Sequence, residues 1–404
     1  MTMRGTDTQV GIVGAGPAGL VLAHLLKGSG IESVVLELHD RAYVEARVRA
    51  GVLEQGTADL LDGMGVGDRM RSEGSVHRGV NLQFLGRRHR IALSELTGGK
   101  AITVYGQQEV VKDLIAARLA AGGELQFGVD SVGLESVDSD RPVISYRQAG
   151  QEHRLRCDVV AGCDGFHGCS RHAVPRLQTY ERDYPFAWLG ILAAVAPSTD
   201  ELIYAFHDRG FALHSLRSPE LSRLYLQVEP DEEIAAWPDE RIWEELQLRL
   251  ASEGWTLAEG PVLEKGITAL RSFVAEPMQH ARLFLAGDAA HIVPATGAKG
   301  MNLAVSDVVV LARALDTWYR TGREDELRAY SATCLRRVWR VQEFSMWMTM
   351  LCTATGTRSP AGCKRRRRRT CASRRRPPDA WPRAMWARRR CKTIAQRLGV
   401  CSKT

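Results

Sequence analysis

The run Gly14-Ala15-Gly16-Pro17-Ala18-Gly19 has a spacing that can hold a pyrophosphate. Glycines permit a tight turn and a close backbone approach to phosphate, and the helix opening behind them offers free N–H groups and its positive dipole end to the anion. Glu37, about 20 residues further on, stands where an acid binds ribose hydroxyls. A second candidate is Gly287-Asp288, followed by a Pro/Gly loop through Ala295, Thr296 and Lys299 into Gly300-Met301-Asn302, and a third is the turn Asp164-Gly165. A different chemistry is written between residues 211 and 228. Side chains alternate faces along a strand, so Ser215 and Arg217 share one face of their run, as do Arg223 and Tyr225 of theirs. A hairpin turning at 218–222 then brings an arginine fork, a Ser hydroxyl and a Tyr hydroxyl together on one carboxylate.

Such residues need strands that end at them and helices that begin there. A β-rich run at 8–14, an Ala/Leu-rich helix at 17–27 and a second β-rich run at 33–37 make a β-α-β unit. A helix is predicted at 107–121, where Val110, Val111, Leu114, Ile115 and Leu119 recur at helical spacing. Short alternating runs at 142–146, 153–162, 202–206, 211–217 and 223–228 predict sheet, and helical periodicity returns at 239–251. A strand at 283–286 then leads through the Pro/Gly loop to a helix at 302–315. The order implies an α/β fold with α+β elements: a Rossmann-like nucleotide-binding domain that a second, sheet-rich domain interrupts.

At 404 residues with 45% hydrophobic and 25% charged content, the chain is long enough for two domains with sizeable cores. It has no run approaching the roughly 18 apolar residues of a membrane span and no signal-peptide pattern, so a cytoplasmic location without membrane contact is expected. The net charge of +7 misleads, because residues 352–404 carry 17 Lys and Arg against one acid, Asp379. Residues 1–351, with 37 bases and 46 acids, are acidic, and nucleic-acid binding is not expected of them. Cys157, Cys163, Cys169 and Cys334 follow no zinc spacing and read as free thiols, with no metal site.

The segments around Gly14, Asp164 and Asp288 stand in the order found in class A flavoprotein monooxygenases. The match narrows at Arg47-Val-Arg49-Ala-Gly-Val-Leu-Glu-Gln, Val104-Tyr-Gly-Gln107, Gly162-Cys-Asp-Gly-Phe-His-Gly168, Arg271-Ser-Phe-Val and Glu276-Pro-Met-Gln-His, which resemble the 4-hydroxybenzoate hydroxylase family over about 340 residues. The resemblance implies FAD as cofactor, NADPH or NADH and O2 as co-substrates, and hydroxylation of 4-hydroxybenzoate to 3,4-dihydroxybenzoate through a C4a-hydroperoxyflavin. It assigns FAD to Gly14, Gly16, Gly19, Glu37, Arg47, Gln107, Asp164, Asp288, Thr296, Lys299 and Asn302, with Arg223 near the flavin. Arg49, His167 and Arg271 would meet the nicotinamide nucleotide's phosphates. Ser215, Arg217 and Tyr225 would bind the substrate carboxylate, Tyr204 its phenol, and His77 would pass the phenol proton outward. The implied division is 1–184 and 271–351 for FAD, 185–270 for substrate and 352–404 as an aberrant tail expected to be disordered. Rival readings are a hydroxylase of another hydroxybenzoate, an NAD(P)H:flavin oxidoreductase or disulfide reductase, and an inactive flavoprotein with a basic binding tail. The body lacks the redox cysteine pair that the disulfide reductase needs.

Three positions depart from the family. Ala295 replaces a proline whose carbonyl contacts the phenol, and Leu38 stands where NADPH-preferring members carry arginine. Beyond Leu351 there is no Tyr, Phe, Glu, His or Asn, so the family's relay tyrosine has no counterpart, and a homodimer is expected only with a native C-terminus. Arg, Pro, Ala, Cys and Trp in this mixture are what out-of-frame translation of a GC-rich gene yields. Resequencing the locus is predicted to reveal an alternative frame encoding a Tyr-containing, Glu-bearing helical C-terminus. Absence of such a frame would sink the frameshift reading.

Overall fold

Val10–Val13 is buried at all four positions, and a strand that is apolar on both faces requires cover on both. In the computed structural model, which describes residues 4–49, 51–84 and 86–352, this strand lies inside a six-stranded sheet. The basic segment 353–404, with the disorder and frameshift expectations attached to it, lies outside the described residues. The sheet order is Gln279–His280, Leu283–Leu285, Val159–Gly162, Val10–Val13, Ser33–Leu36 and Glu124–Gln126, parallel throughout except at the first pair. Helix Pro17–Gly28 packs against helices Gln107–Ala120 and Gly300–Thr321. The last of these runs past residue 315 and stops where Gly322 takes φ +72°, the left-handed conformation that ends many helices.

The stretch 153–162, which alternation presents as one strand, is two. Gln151–Arg156 belongs to a four-stranded sheet with Arg4–Asp7, Val143–Gln148 and Val129–Glu135, whereas Val159–Gly162 enters the six-stranded sheet. The run 8–14 holds the single strand Val10–Val13, parallel to Val159–Gly162, and an additional strand before it, Arg4–Asp7, lies parallel to Gln151–Arg156. Both chains cross between sheets side by side, joined by Thr8 N to Arg156 O at 2.9 Å and Asp158 N to Gln9 O at 3.0 Å.

Two long antiparallel strands, Gln178–Ala193 and Val262–Glu276, lead from this first core to a second. At about 3.3 Å per residue the first spans roughly 50 Å. Their register shifts between Asp183 and Ala187, where Pro185 falls, a residue unable to donate to a ladder. Beyond the shift, Ala187, Leu189, Ile191 and Ala193 turn to the second core, while Val274 and Met278 stay with the first. These strands escape periodicity because residues 178–183 are all exposed. They lie in an eight-stranded sheet with Leu221–Val228, Ala212–Ser218, Ile203–Phe206, Val80–Phe84, Arg87–Ile91 and His291–Ile292. Helix Asp239–Leu250 closes the second core with Ile242, Trp243, Leu246 and Leu250. Among the described residues no helix is long and apolar enough to cross a membrane, and all four body cysteines are free.

His214 is fully buried; it pairs across the ladder with Ile203 and accepts a hydrogen bond from Ser198 N at 3.2 Å. Burial, with help from the charge of Arg88, pushes its pKa down to about 4. The unfolded chain therefore takes up this proton first, and stability is lost as pH falls from the ordinary histidine value toward 4, by at most roughly 3 kcal/mol. Urea denaturation of His214→Leu at pH 7 and pH 4.5 should show a smaller loss of stability than the parent chain; an equal loss would refute this account.

Candidate active site

Parallel register decides where the motifs meet. Val13 pairs with both Leu36 and Gly162, and Gly162 pairs with Leu285, so four strands end on one row. The residues that emerge next are Gly14, Glu37, Cys163-Asp164 and Ala286-Gly287-Asp288, at the carboxyl edge of a parallel sheet, where such folds bind ligands. Cross-links hold the row: Gly14 N donates to Leu36 O at 2.7 Å, Cys163 N to Val13 O at 2.8 Å and Ala286 N to Gly162 O at 3.0 Å.

Gly14 has φ +105°, and a Cβ there would lie 2.7 Å from the Cys163 carbonyl carbon and 3.0 Å from Asp164 Cα. Gly19 is needed for another contact, since a Cβ would fall on the Gly14 carbonyl oxygen. Gly16, the N-cap of helix Pro17–Gly28, faces open space, which is the room a dinucleotide requires. Glu37 accepts from Ala15 N at 2.7 Å and from His39 N at 3.0 Å, so this acid braces the glycine turn. Asp164 accepts from Ser170 N at 2.8 Å through Oδ2, while its Oδ1 is buried without a partner.

Asp288 stands open to solvent, yet the protein crowded around it raises its carboxyl pKa, against the pull of His291, Arg49 and Arg47. A carboxylate both accessible and crowded lies on a concave wall. Behind it His291 Nε2 meets Asp307 Oδ2 at 2.6 Å, with 2% and 1% of the two side chains exposed. The same oxygen accepts from Gly287 N at 3.1 Å, which holds the turn in front of Asp288. Burial alone would lower the His291 pKa, but the charge and hydrogen bond of Asp307 outweigh it and raise it. Sequence reading missed both residues; the signal was an acid placed inside the apolar helical run Asn302–Leu311.

The loop then passes exposed Ala295 and buried Thr296 to Ala298 at φ +50°, and helix Gly300–Thr321 begins. Its first N–H groups have no intrahelical acceptor and Lys299 supplies no side-chain cap, leaving them to an anion or a polar ring edge. The Asn302 side chain accepts from Glu54 N at 2.8 Å and donates to Val52 O at 2.8 Å and Ala298 O at 3.2 Å, which fixes the first turn of the helix and leaves the Asn302 backbone N–H among those free for a cofactor. Lys299 pairs with Glu54 at 2.5 Å. Gln107 opens helix Gln107–Ala120, and Arg47, at the C-cap of Arg41–Ala46, is exposed.

On the eight-stranded sheet Ser215 lies opposite Arg223, Leu213 opposite Tyr225 and Tyr204 opposite Leu213. Tyr225 in turn faces Gly190, where a Cβ would come within 2.9 Å of Arg223 Nη2 and 3.3 Å of Tyr225 Cε1. Trp188, on the same face, sets its ring 5.3 Å from those of Phe211 and Tyr225, with its indole N–H buried and unpartnered. Parity fails at one residue: a bulge between Leu216 and Ser218 contains Arg217, and bulges re-aim side chains. Arg217 Nη2 donates to Arg49 O at 2.7 Å, tying the 47–49 segment to the substrate sheet. Its pKa is lowered by burial, with Tyr225 opposing and Arg223 adding to the effect. Arg223 Nη1 is buried, with Glu264 no nearer than 3.9 Å. Two half-buried guanidiniums without a close carboxylate favour an anionic ligand.

His167 and Arg271 are brought together, both exposed, around Phe166: the His167 ring centroid is 5.1 Å away and Arg271 Cζ 4.9 Å. Arg49 instead meets the substrate sheet, where its backbone carbonyl accepts from Arg217. His77 ends strand Ser75–His77 and is fully buried, 3.2 Å from Ser75 Oγ. Burial lowers its pKa, opposed by Glu201 and Asp200.

A family profile described as FAD binding domain matches residues 7–345. The p-hydroxybenzoate hydroxylase of Acinetobacter baylyi is 47% identical over 352 residues, 86% of this chain and 87% of that one. The chain belongs to the p-hydroxybenzoate hydroxylase family of FAD-dependent class A monooxygenases. The rifampicin monooxygenase of Streptomyces venezuelae is 28% identical, covering 79% of this chain and 67% of its own. Among solved structures, p-nitrophenol 4-monooxygenase from Pseudomonas putida superposes with a TM-score of 0.77 at 21% identity, over 89% of this chain and 91% of that one, a likeness of fold.

FAD fits the open space at Gly16, the unpartnered Asp164 oxygen and the free helix N-terminus at Gly300. Gly14→Ala adds left-handed strain of about 1 kcal/mol or more besides its clash with Cys163. The purified variant should lose most of its 450 nm flavin absorbance relative to 280 nm; retention of full flavin would mean the turn is not a phosphate cradle.

Proposed function

We propose that the protein hydroxylates 4-hydroxybenzoate at the 3-position, consuming NAD(P)H, a proton and O2 and releasing 3,4-dihydroxybenzoate, NAD(P)+ and water. The observation that carries this reading is a sheet face shared by Arg223, Ser215, Tyr225 and Tyr204, beside which a bulge re-aims Arg217, with Glu264 no nearer than 3.9 Å to Arg223. A para-hydroxy acid has one anionic end and one phenolic end, and this face offers a cationic end and a phenol partner. FAD, when bound, accepts hydride from the nicotinamide and activates oxygen.

The chain's own residues bind, orient and move a proton. Arg217, Ser215 and Tyr225 hold the carboxylate by charge-assisted hydrogen bonds. Tyr204 meets the phenol oxygen and helps ionise it, because a phenolate attacks an electrophilic oxygen far more readily. His77, kept neutral by burial, accepts that proton, and Glu201 and Asp200 lie within electrostatic reach of it. The carbonyl of Ala295 is assigned to the phenol, and Thr296, Lys299 and the N–H groups from Gly300 to the flavin edge where negative charge develops. Gly14, Gly16, Gly19, Glu37, Arg47, Gln107, Asp164 and Asp288 are assigned to the rest of FAD, and Arg49, His167 and Arg271 to the nicotinamide nucleotide. Residues 1–184 and 271–351 then form the FAD part and 185–270 the substrate part, a division supported by the two separate cores. We assign a cytoplasmic location, and a homodimer only for a chain with a native C-terminus.

NADH and NADPH oxidation under oxygen should each be followed with and without 4-hydroxybenzoate, and 3,4-dihydroxybenzoate assayed. Substrate-stimulated oxidation with product is expected; bound FAD without product would overturn the substrate assignment. Arg217→Ala should keep its flavin but weaken 4-hydroxybenzoate binding roughly 10- to 100-fold, since a charge-assisted hydrogen bond is worth about 1.5 to 3 kcal/mol. Unchanged affinity would remove Arg217 from the carboxylate site.

A further inference from the structure

The last helix of the described residues, Tyr330–Cys352, turns an unexpected face inward. Gln342, Ser345 and Thr349, spaced three and four apart and so on one side, are only 7%, 0% and 0% exposed. An apolar stripe would suffice for packing, and a buried polar group without a partner costs about 1 to 3 kcal/mol. Gln342 and Thr349 reach one loop and the strand beside it, while Ser345 Oγ is buried against that loop without a hydrogen-bond partner. Gln342 Nε2 donates to Ile292 O at 2.6 Å and to Phe273 O at 3.1 Å, clamping the strand pair from which the loop departs. Thr349 Oγ1 donates to Ser345 O at 2.7 Å and lies 2.9 Å from Thr296 Oγ1, whose own side chain is 1% exposed. Gly297 abuts the same stripe: a Cβ on it would approach Ser345 Oγ to 2.7 Å.

The loop needs such support. It contains Ala295 in place of a rigid proline, and it ends on Ala298 in the left-handed conformation at φ +50°, which costs about 1 kcal/mol or more and persists only when surroundings enforce it. We propose that Thr349, backed by Gln342 and Ser345, is a positioning residue that holds the 292–297 loop against the flavin and substrate, so that the Thr296 hydroxyl and the Ala295 carbonyl stand at fixed places. The inference rests on the assignment of this loop to FAD and substrate in the preceding section. Misplacement by an ångström is enough to cost on the order of 100-fold in a reaction that depends on orientation. Loss of the anchor should therefore separate nicotinamide oxidation from ring hydroxylation, with the difference appearing as hydrogen peroxide.

The test compares the full FAD-loaded chain with Thr349→Val, which keeps the shape and removes the hydroxyl, and Thr349→Ser, which keeps the hydroxyl. Two readouts are taken: the anaerobic change in flavin absorbance on adding 4-hydroxybenzoate without nicotinamide, and dihydroxybenzoate formed per NAD(P)H oxidised. Thr349→Val should alter the absorbance change and lower the ratio about threefold or more, with peroxide making up the difference, while Thr349→Ser restores both. Parent-like behaviour of Thr349→Val in both readouts, or equal damage from Ser and Val, would overturn the proposal. Should Thr349→Val not fold, Gly297→Ala and the double variant Gly297→Ala/Ser345→Ala replace it. The single change should disturb the absorbance and the double should recover it, and failure to recover counts against the stripe. A parent chain that binds 4-hydroxybenzoate, shown by the absorbance change, but forms no product sinks the hydroxylase reading, while the absorbance readout still decides the role of Thr349.

Discussion

Everything at the nucleotide edge depends on the common row on which Leu36, Val13, Gly162 and Leu285 finish. Parallel strands have no local turn to set their pairing, so this register is enforced by burial: each strand is apolar on both faces, and a shift would move the motif residues out of line. Because the row holds, residues more than 270 positions apart in the chain emerge side by side, and Gly14 can press against the Cys163 carbonyl. The buried His291–Asp307 pair extends the same logic one layer deeper. Its desolvation is costly, and what it gains beyond mutual attraction is a fixed acceptor for Gly287 N–H at the turn that presents Asp288.

The second core answers a different demand. It supports a sheet face on which two guanidiniums stand half-buried without a near acid, an arrangement unfavourable until an anion arrives. The two long strands make that face part of the same framework as the FAD edge, and the hydrogen bond from Arg217 to Arg49 O ties the two directly. The bulge at Arg217 is what permits this reach, since an unbulged strand would have kept its side chain in line with Ser215.

Much of the chemistry was legible before any fold was known. The glycine turn and Glu37 followed from spacing, and the parity of Ser215, Arg223 and Tyr225 followed from alternation; the ladder pairs Ser215 with Arg223 and Leu213 with Tyr225 as that argument requires. Other features left no periodic mark. The exposed first half of Gln178–Ala193 gives no alternation to read, and the sheet crossing at Cys157 breaks a run that looks continuous. The side-chain bonds of Asn302 to Glu54, Val52 and Ala298, which fix the helix start, also had no mark in the sequence.

The amino-acid sequence by itself determined the local pieces, namely which segments become strand or helix, where backbone may approach phosphate, and which side chains share a strand face. These are properties of spacing within a dozen residues, set by sterics and by the periods of helix and strand. Only the tertiary structure decided which strand ends coincide, where Arg217 is re-aimed, that His77 and His214 are buried, and that Thr349 reaches Thr296 across 53 positions of chain. Those outcomes depend on register and on packing between distant segments, and their energies come from burial that no short window of sequence contains.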